Sequence, residues 1–126
     1  DIMVNDIKSV AMALEKNMVY ISKKNPNAYK EDDFKYEIHS IKVGKTGYVY
    51  LISSEGELLI HPKKEGKNLK NTSYGSYIIS HKSGGIYEYT SSTTGQKKIA
   101  AFRYIPEWDA WIVPGVNKAD YFDDLK

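Results

Sequence analysis

The stretch Gly44-Lys45-Thr46-Gly47-Tyr48-Val49-Tyr50-Leu51-Ile52-Ser53-Ser54-Glu55-Gly56-Glu57-Leu58-Leu59-Ile60-His61-Pro62 decides the fold class. Gly44 and Gly47 flank a turn. Tyr48 to Ile52 is a run of aromatic and β-branched residues, the composition of a strand. Ser53-Ser54-Glu55-Gly56 is turn chemistry, Glu57 to His61 forms a second strand, and Pro62 stops it. The segment therefore reads as a β-hairpin.

The period is different on the N-terminal side. Met3, Ile7, Val10, Leu14, Met18 and Ile21 recur at steps of four and three, the spacing of one helical face. Val4, Ala11 and Val19 widen that face. Lys23 and Lys24 suit a helix C-terminus, and Asn25-Pro26 ends it. Phe34, Ile38 and Ile41 predict a shorter second helix from Asp32 or Asp33. Glu31, Asp32 and Asp33 read as a solvated helix start that complements the helix dipole rather than as an acid/base cluster.

On the C-terminal side, Lys63 to Asn71 is a polar loop. Tyr74 to His81 reads as a short helix, against the propensity of Gly75. Three strands follow, at Ile86 to Thr90, Lys97 to Ile105 and Trp108 to Val116. Pro114 argues for an edge position or a bulge in the last of these. Asp120 to Lys126 reads as the start of another helix. Short turns between strands imply antiparallel pairing. The fold class is α+β: a long N-terminal helix packed on one five-stranded antiparallel sheet.

Composition narrows the function. The 126 residues fit a single domain, 1–126, with a core of its own. With no cysteine there is no disulfide, Fe–S cluster or thiol nucleophile. A net charge of +2 and a single arginine, Arg103, argue against a nucleic-acid reader. There is no run of about 18 apolar residues and no secretory leader pattern. The chain does not begin with Met, so it reads as a mature form or a piece of a longer protein.

Catalytic and cofactor motifs fail on spacing. Gly44-Lys45-Thr46 resembles the end of a P-loop, but His39 stands where the first glycine is needed. His39, His61 and His81 carry no metal-ligand spacing, and no metal or cofactor is implied. No serine elbow is present. Asn71-Thr72-Ser73 fits a glycosylation acceptor, a pattern common by chance. The 11 tyrosines remain. By alternation Tyr48, Tyr50 and Ile52 share a strand face, as do Tyr87 and Tyr89, and Lys98, Ala100, Phe102 and Tyr104; Ile99, Ala101 and Arg103 take the opposite one. Such tyrosines cover half-buried strands. Gathered beside a lysine or histidine, they would instead form a concave site suited to a small anion.

The hairpin with its His61-Pro62 ending resembles the signature of Cache domains, the extracytoplasmic sensor modules of chemotaxis receptors and histidine kinases. Gly66-Lys67-Asn68-Leu69, Gly84-Gly85-Ile86-Tyr87-Glu88-Tyr89 and the run Lys98 to Val116 with Trp108 and Trp111 are similar to later parts of that signature. The extra residue between the tryptophans, at Asp109-Ala110, and Pro114 depart from it. The resemblance implies a PAS-like sheet and a single-module sensor, excised from between two transmembrane helices and lying outside the cytoplasm. It implies no catalysis and a short carboxylate ligand such as acetate, propionate, pyruvate or lactate. The arginine–tryptophan pair of amino-acid-binding double Caches is absent.

On this resemblance Lys98 would pair with the carboxylate. Tyr50, Tyr87 and Tyr89 would donate hydroxyls, His61 would close the site, and Phe102 and Trp108 would give apolar walls. The stripe on the first helix would face a second copy in a parallel homodimer of the membrane-anchored receptor. Other readings stay open: a dimerising or protein-contact module that senses through a solute-binding protein, a hydrolase with an unfamiliar site, and a haem-bearing PAS domain.

Overall fold

The computed structural model describes residues 2–91 and 94–120. It opens with a long helix, α1 (Ile2–Lys24), a 3-10 turn (Ala28–Lys30) and α2 (Asp32–His39). The hairpin follows as β1 (Tyr48–Ser53) and β2 (Leu58–Ile60). Then come α3 (Ser73–Ile79), β3 (Gly85–Thr90), β4 (Lys97–Ile105), a second 3-10 turn (Pro106–Trp108) and β5 (Ala110–Asn117). The strands form one antiparallel sheet in the order β2-β1-β5-β4-β3. The α+β class and the five-stranded sheet stand as expected. The helix expected from Asp120 lies, beyond that residue, outside the described residues.

The two faces of the sheet are sorted by strand alternation. Val49 and Leu51 of β1, Ile99 and Ala101 of β4, and Ile112 and Val116 of β5 face α1. They pack on the helical stripe of Met3, Ile7, Ala11, Leu14 and Met18, which is buried. Each Val, Leu, Ile or Met side chain removed from water here contributes roughly 1.5–3 kcal/mol, so this face anchors the helix. Arg103 adds a placement contact, its Nε donating to Glu15 of α1 at 3.1 Å. Because the stripe is used up on the sheet, it is not the surface for a second copy. Met12 and Tyr20 are the large apolar side chains that α1 leaves exposed.

The other face carries Tyr50, Ile52, Leu58, Ala100, Phe102, Trp111 and Val113 in a second buried cluster, covered by Leu69 and by Ile78 of α3. Trp111 is fully buried there and donates its ring N–H to the His81 carbonyl at 3.0 Å. That bond fixes the loop after α3 to the centre of the sheet.

Two expectations from the sequence are corrected. Pro114 lies in the central strand, not at an edge. The β1–β5 ladder runs through Val49↔Pro114, while the β4–β5 register passes Ala100↔Gly115 and resumes at Arg103↔Ile112. The missing N–H is thus absorbed by a gap in one ladder. Trp108 is not strand but 3-10 turn, and it sits on the α1 side of the sheet. Its ring meets Tyr29 and Phe34 edge-on at 5.7 and 5.6 Å. The extra residue before Trp111 is Asp109, left-handed at φ 49°, which reverses the chain into β5. Its carboxylate holds that turn by accepting from Ser54 Oγ at 2.6 Å and from the Tyr104 hydroxyl.

Gly75 is explained by space rather than by conformation. A Cβ there would lie 2.1 Å from the Leu69 carbonyl oxygen and 2.7 Å from the capping Thr72 hydroxyl. Helix propensity alone makes Gly75→Ala stabilising by about 1 kcal/mol. The close approach reverses the sign: urea unfolding should show a loss of roughly 1–3 kcal/mol, and a raised midpoint would contradict this packing.

Candidate ligand-binding cleft

A cleft of about 230 Å³ opens on the sheet face opposite α1. Its floor is Tyr48 and Tyr50 of β1 with Lys98 of β4 and Tyr89 of β3. Leu58, His61, Lys64 and Leu69 form one side, from β2 and the crossover that follows it. Thr72, Ser73 and Tyr74 at the start of α3, with Thr90 and Ser91 after β3, complete the wall. Among the described residues, none that lines the cleft is acidic. The volume falls below the roughly 300–1,000 Å³ of drug-sized sites, so the cleft suits a ligand of few atoms.

Local sequence explains how the wall is held. The backbone N–H groups of Leu58 and Gly66 donate across to the carbonyls of Lys67 and Leu58, both at 2.8 Å, folding the crossover back on β2. Asn68 staples it to the hairpin turn, donating to the Glu55 carbonyl at 3.1 Å and accepting from Lys70 N–H at 2.8 Å. Thr72 caps α3, accepting from Gly75 N–H at 3.0 Å. Tyr74 of α3 then stacks on Tyr89 of β3, centroids 4.6 Å apart and planes at 7°.

His61 has a defined protonation state. Its Nδ1 accepts from the backbone N–H groups of Lys63 at 3.0 Å and Lys64 at 2.9 Å. Burial first, then the charges of Lys64, Lys98 and His39, hold its pKa down at about 4, against the opposing pull of Glu65. The ring is therefore neutral at pH 7, with its proton on Nε2. Glu65 is held below the usual carboxylate range: although burial works against it, it accepts from His61 N–H, Lys35 and His39.

The floor is a field of donors. Burial drives the Tyr50 hydroxyl well above its ordinary pKa, and burial likewise raises Tyr89 and Tyr74, so all stay protonated. The Tyr50 hydroxyl is fully buried and has no hydrogen-bond partner among the described residues. Burial, then Lys63, pulls the Lys98 pKa down. Among the described residues Lys98 has no carboxylate partner, and its Nζ lies 5.5 Å from the Tyr48 ring centroid.

Of the residues expected from the sequence, Tyr50, His61, Tyr89 and Lys98 line the cleft. Tyr87 and Phe102 share its face of the sheet but stand outside its wall. The Tyr87 ring packs on Tyr77 at 4.7 Å, and Phe102 is fully buried against Tyr77 and His81. Trp108 is on the opposite face. Missed were Tyr48, which alternation already paired with Tyr50, and Lys64, Leu58, Leu69, Thr72 and Tyr74, which come together only when the crossover folds. Among the described residues no cluster of histidine and acidic side chains could hold a metal ion, and no helix is long and apolar enough to cross a membrane.

A family model described as the Cache 3/Cache 2 fusion domain matches residues 18–126. The chain belongs to the Cache family. No curated protein matches it. Among solved structures, this Cache domain is similar to the extracellular domain of mmHK1S-Z2, a protein assigned as a histidine kinase. They share 26% identity and a TM-score of 0.59, over 70% of this chain and 37% of the other. The chain thus spans well under half the length of that relative. A methyl-accepting chemotaxis protein from Vibrio parahaemolyticus matches over 94% of this chain and 93% of its own, at 19% identity and TM-score 0.66. A structure described as carboxylic acid recognition by a Cache chemosensory domain matches over 92% and 96%, at 13% identity and TM-score 0.66.

The His61 geometry carries a pH dependence. Its folded pKa lies below the unfolded value of about 6.5. Its contribution to stability is therefore complete above that value and is lost as pH falls from about 6.5 toward the folded value of about 4. In urea titrations the wild-type domain should lose more stability across this window than His61→Gln. Parallel pH profiles for the two would contradict a neutral His61 in the fold.

Proposed function

We propose that this Cache domain is the ligand-sensing part of a membrane-anchored chemoreceptor or sensor kinase, lies outside the cytoplasm, and binds a short carboxylate of the acetate, propionate, pyruvate or lactate class. One observation carries the ligand reading: the Tyr50 hydroxyl is fully buried in the cleft floor with no partner among the described residues. A buried donor left unpaired is costly, and a ligand acceptor removes that cost. The surroundings favour an anion. Lys98 and Lys64 line the cleft, no carboxylate among the described residues does, and the phenols remain donors. The same walls offer nothing to balance the ammonium of an amino acid. The full-length similarity to a Cache domain described as recognising carboxylic acid is consistent with this reading.

Catalysis has no support in the site. His61 Nδ1, the acceptor a general base would use, is committed to two backbone N–H groups. Signalling would be a population shift, in which the ligand favours one arrangement of sheet and crossover and so biases α1. A homodimer of the receptor would use the exposed side of α1, where Met12 and Tyr20 lie.

Calorimetry with these carboxylates tests the assignment. Lys98→Ala should weaken binding by about 10- to 150-fold, the equivalent of a charge-assisted bond of roughly 1.5–3 kcal/mol. Tyr50→Phe should cost about 2- to 10-fold, as for a neutral hydrogen bond. Affinities unchanged in both variants would overturn the site. A carboxylate panel giving neither heat nor thermal shift would favour the protein-contact module instead.

A further inference from the structure

A small void adjoins the cleft, and the chemistry of its wall specifies more than a carboxylate. It measures about 10 Å³, room for one water or one hydroxyl group. Tyr48, Tyr50, Tyr89 and Lys98 line both the void and the cleft, and Thr46 and Asn117 contribute to the wall of the void alone. Asn117 Oδ1 is fully buried and has no hydrogen-bond partner among the described residues.

Hydrogen-bond accounting fixes the orientation of that amide. The Asp120 carboxylate accepts from Thr46 N–H at 3.0 Å and from Thr46 Oγ1 at 2.9 Å. A carboxylate only accepts, so the single hydroxyl hydrogen of Thr46 is committed to Asp120. Thr46 Oγ1 must then be the acceptor in its 2.8 Å contact with Asn117, and Nδ2 is the donor. A flipped amide would set two acceptors against each other. Oδ1 is therefore the atom left over, and it requires a donor.

Asn117 is also the cross-strand partner of Lys98. Side chains so paired stand on one face of the sheet, with Cβ atoms about 4.5–5.5 Å apart. A ligand whose carboxylate meets Lys98 brings the substituent on its next carbon toward Asn117. An unsubstituted carboxylate offers only acceptors and leaves Oδ1 unpaired. A hydroxyl on the adjacent carbon supplies the missing hydrogen and fits the void. We propose that the cleft selects 2-hydroxy carboxylates, with Asn117 as the specificity-determining residue that accepts the ligand hydroxyl. An ammonium at the same carbon would also donate, but Lys64 and Lys98 oppose it and no lining carboxylate balances it.

This selection rests on the carboxylate reading of the cleft, and one experiment separates the two. Calorimetry would compare the two enantiomers of lactate with propionate, pyruvate and alanine. One lactate enantiomer should bind about tenfold or more tightly than propionate or pyruvate, because only it satisfies the buried acceptor. Asn117→Ala should bring that ratio to within about twofold; the ratio is taken within one protein, so a general loss of stability cancels. Equal affinities in the wild type would overturn the inference and point to a resident water on Oδ1. A preference that survives Asn117→Ala, or alanine binding tightest, would overturn it as well. In each of those cases Lys98-dependent binding of propionate leaves the carboxylate reading intact. Failure of all three carboxylates to bind would remove the reading itself. If Asn117→Ala does not fold, the wild-type ratio decides alone.

Discussion

Strand β5 lies between β1 and β4, and both its faces are buried. Its alternation sorts the molecule: Ile112 and Val116 hold α1, while Trp111 and Val113 hold the cluster beneath α3. A one-residue slip in either ladder would exchange these sets and drive Asn117 to the helix side. The register is strongly specified because each exchange would strand apolar side chains on both faces. Pro114 fits this arrangement only because the interruption it imposes falls on the β4 ladder, leaving the β1 ladder continuous.

The two faces then do different work. The α1 face is almost wholly aliphatic, with Trp108, Tyr29 and Phe34 closing one end. It gives stability, and its Trp108 ring N–H is a buried side-chain donor without a partner among the described residues. The cleft face is built from phenols. Tyrosine supplies a ring that buries well and a hydroxyl that needs a partner. Where the ring is covered and the hydroxyl is not paired, as at Tyr50, the fold has left a donor unanswered. Lys98 adds a partly desolvated charge over the Tyr48 ring. The cleft is thus rich in donors and poor in acceptors.

Much of this was legible in local sequence. The residues that alternate along β1 and β4 take the faces that period-two reading gives them, and the α1 stripe is the buried one. What local pattern does not contain is lateral order. Nothing in Trp111 to Val116 says that β5 pairs between β1 and β4, so Pro114 reads as an edge or bulge residue until the long-range pairing is known. The site suffers the same loss. Tyr87 and Tyr89 share a strand face, but only Tyr89 lines the cleft, because α3 ends up over β3 and its Tyr77 covers Tyr87. Trp108 misleads for a different reason. The left-handed Asp109 separates it from the strand, and alternation cannot be counted across such a turn. Tyr74 carries no signal in the sequence at all; it reaches Tyr89 only through the folding of the crossover that Asn68 and Thr72 hold.

The histidine-proline pair shows how one residue can serve both structure and site. The His61 imidazole takes the two backbone donors that Pro62 leaves at the start of the crossover, and this defines which ring nitrogen keeps a proton. A histidine poised near its ordinary pKa would be a pH sensor; this one is held neutral by burial and by neighbouring lysines. The positive field that suppresses its protonation comes from Lys64 and Lys98, the lysines that line the cleft. An anion bound there would offset that field and raise the His61 pKa. Protonation would also cost the two backbone bonds that Nδ1 accepts, so the charge state of His61 is tied to the fold of the crossover as well as to the field of the cleft.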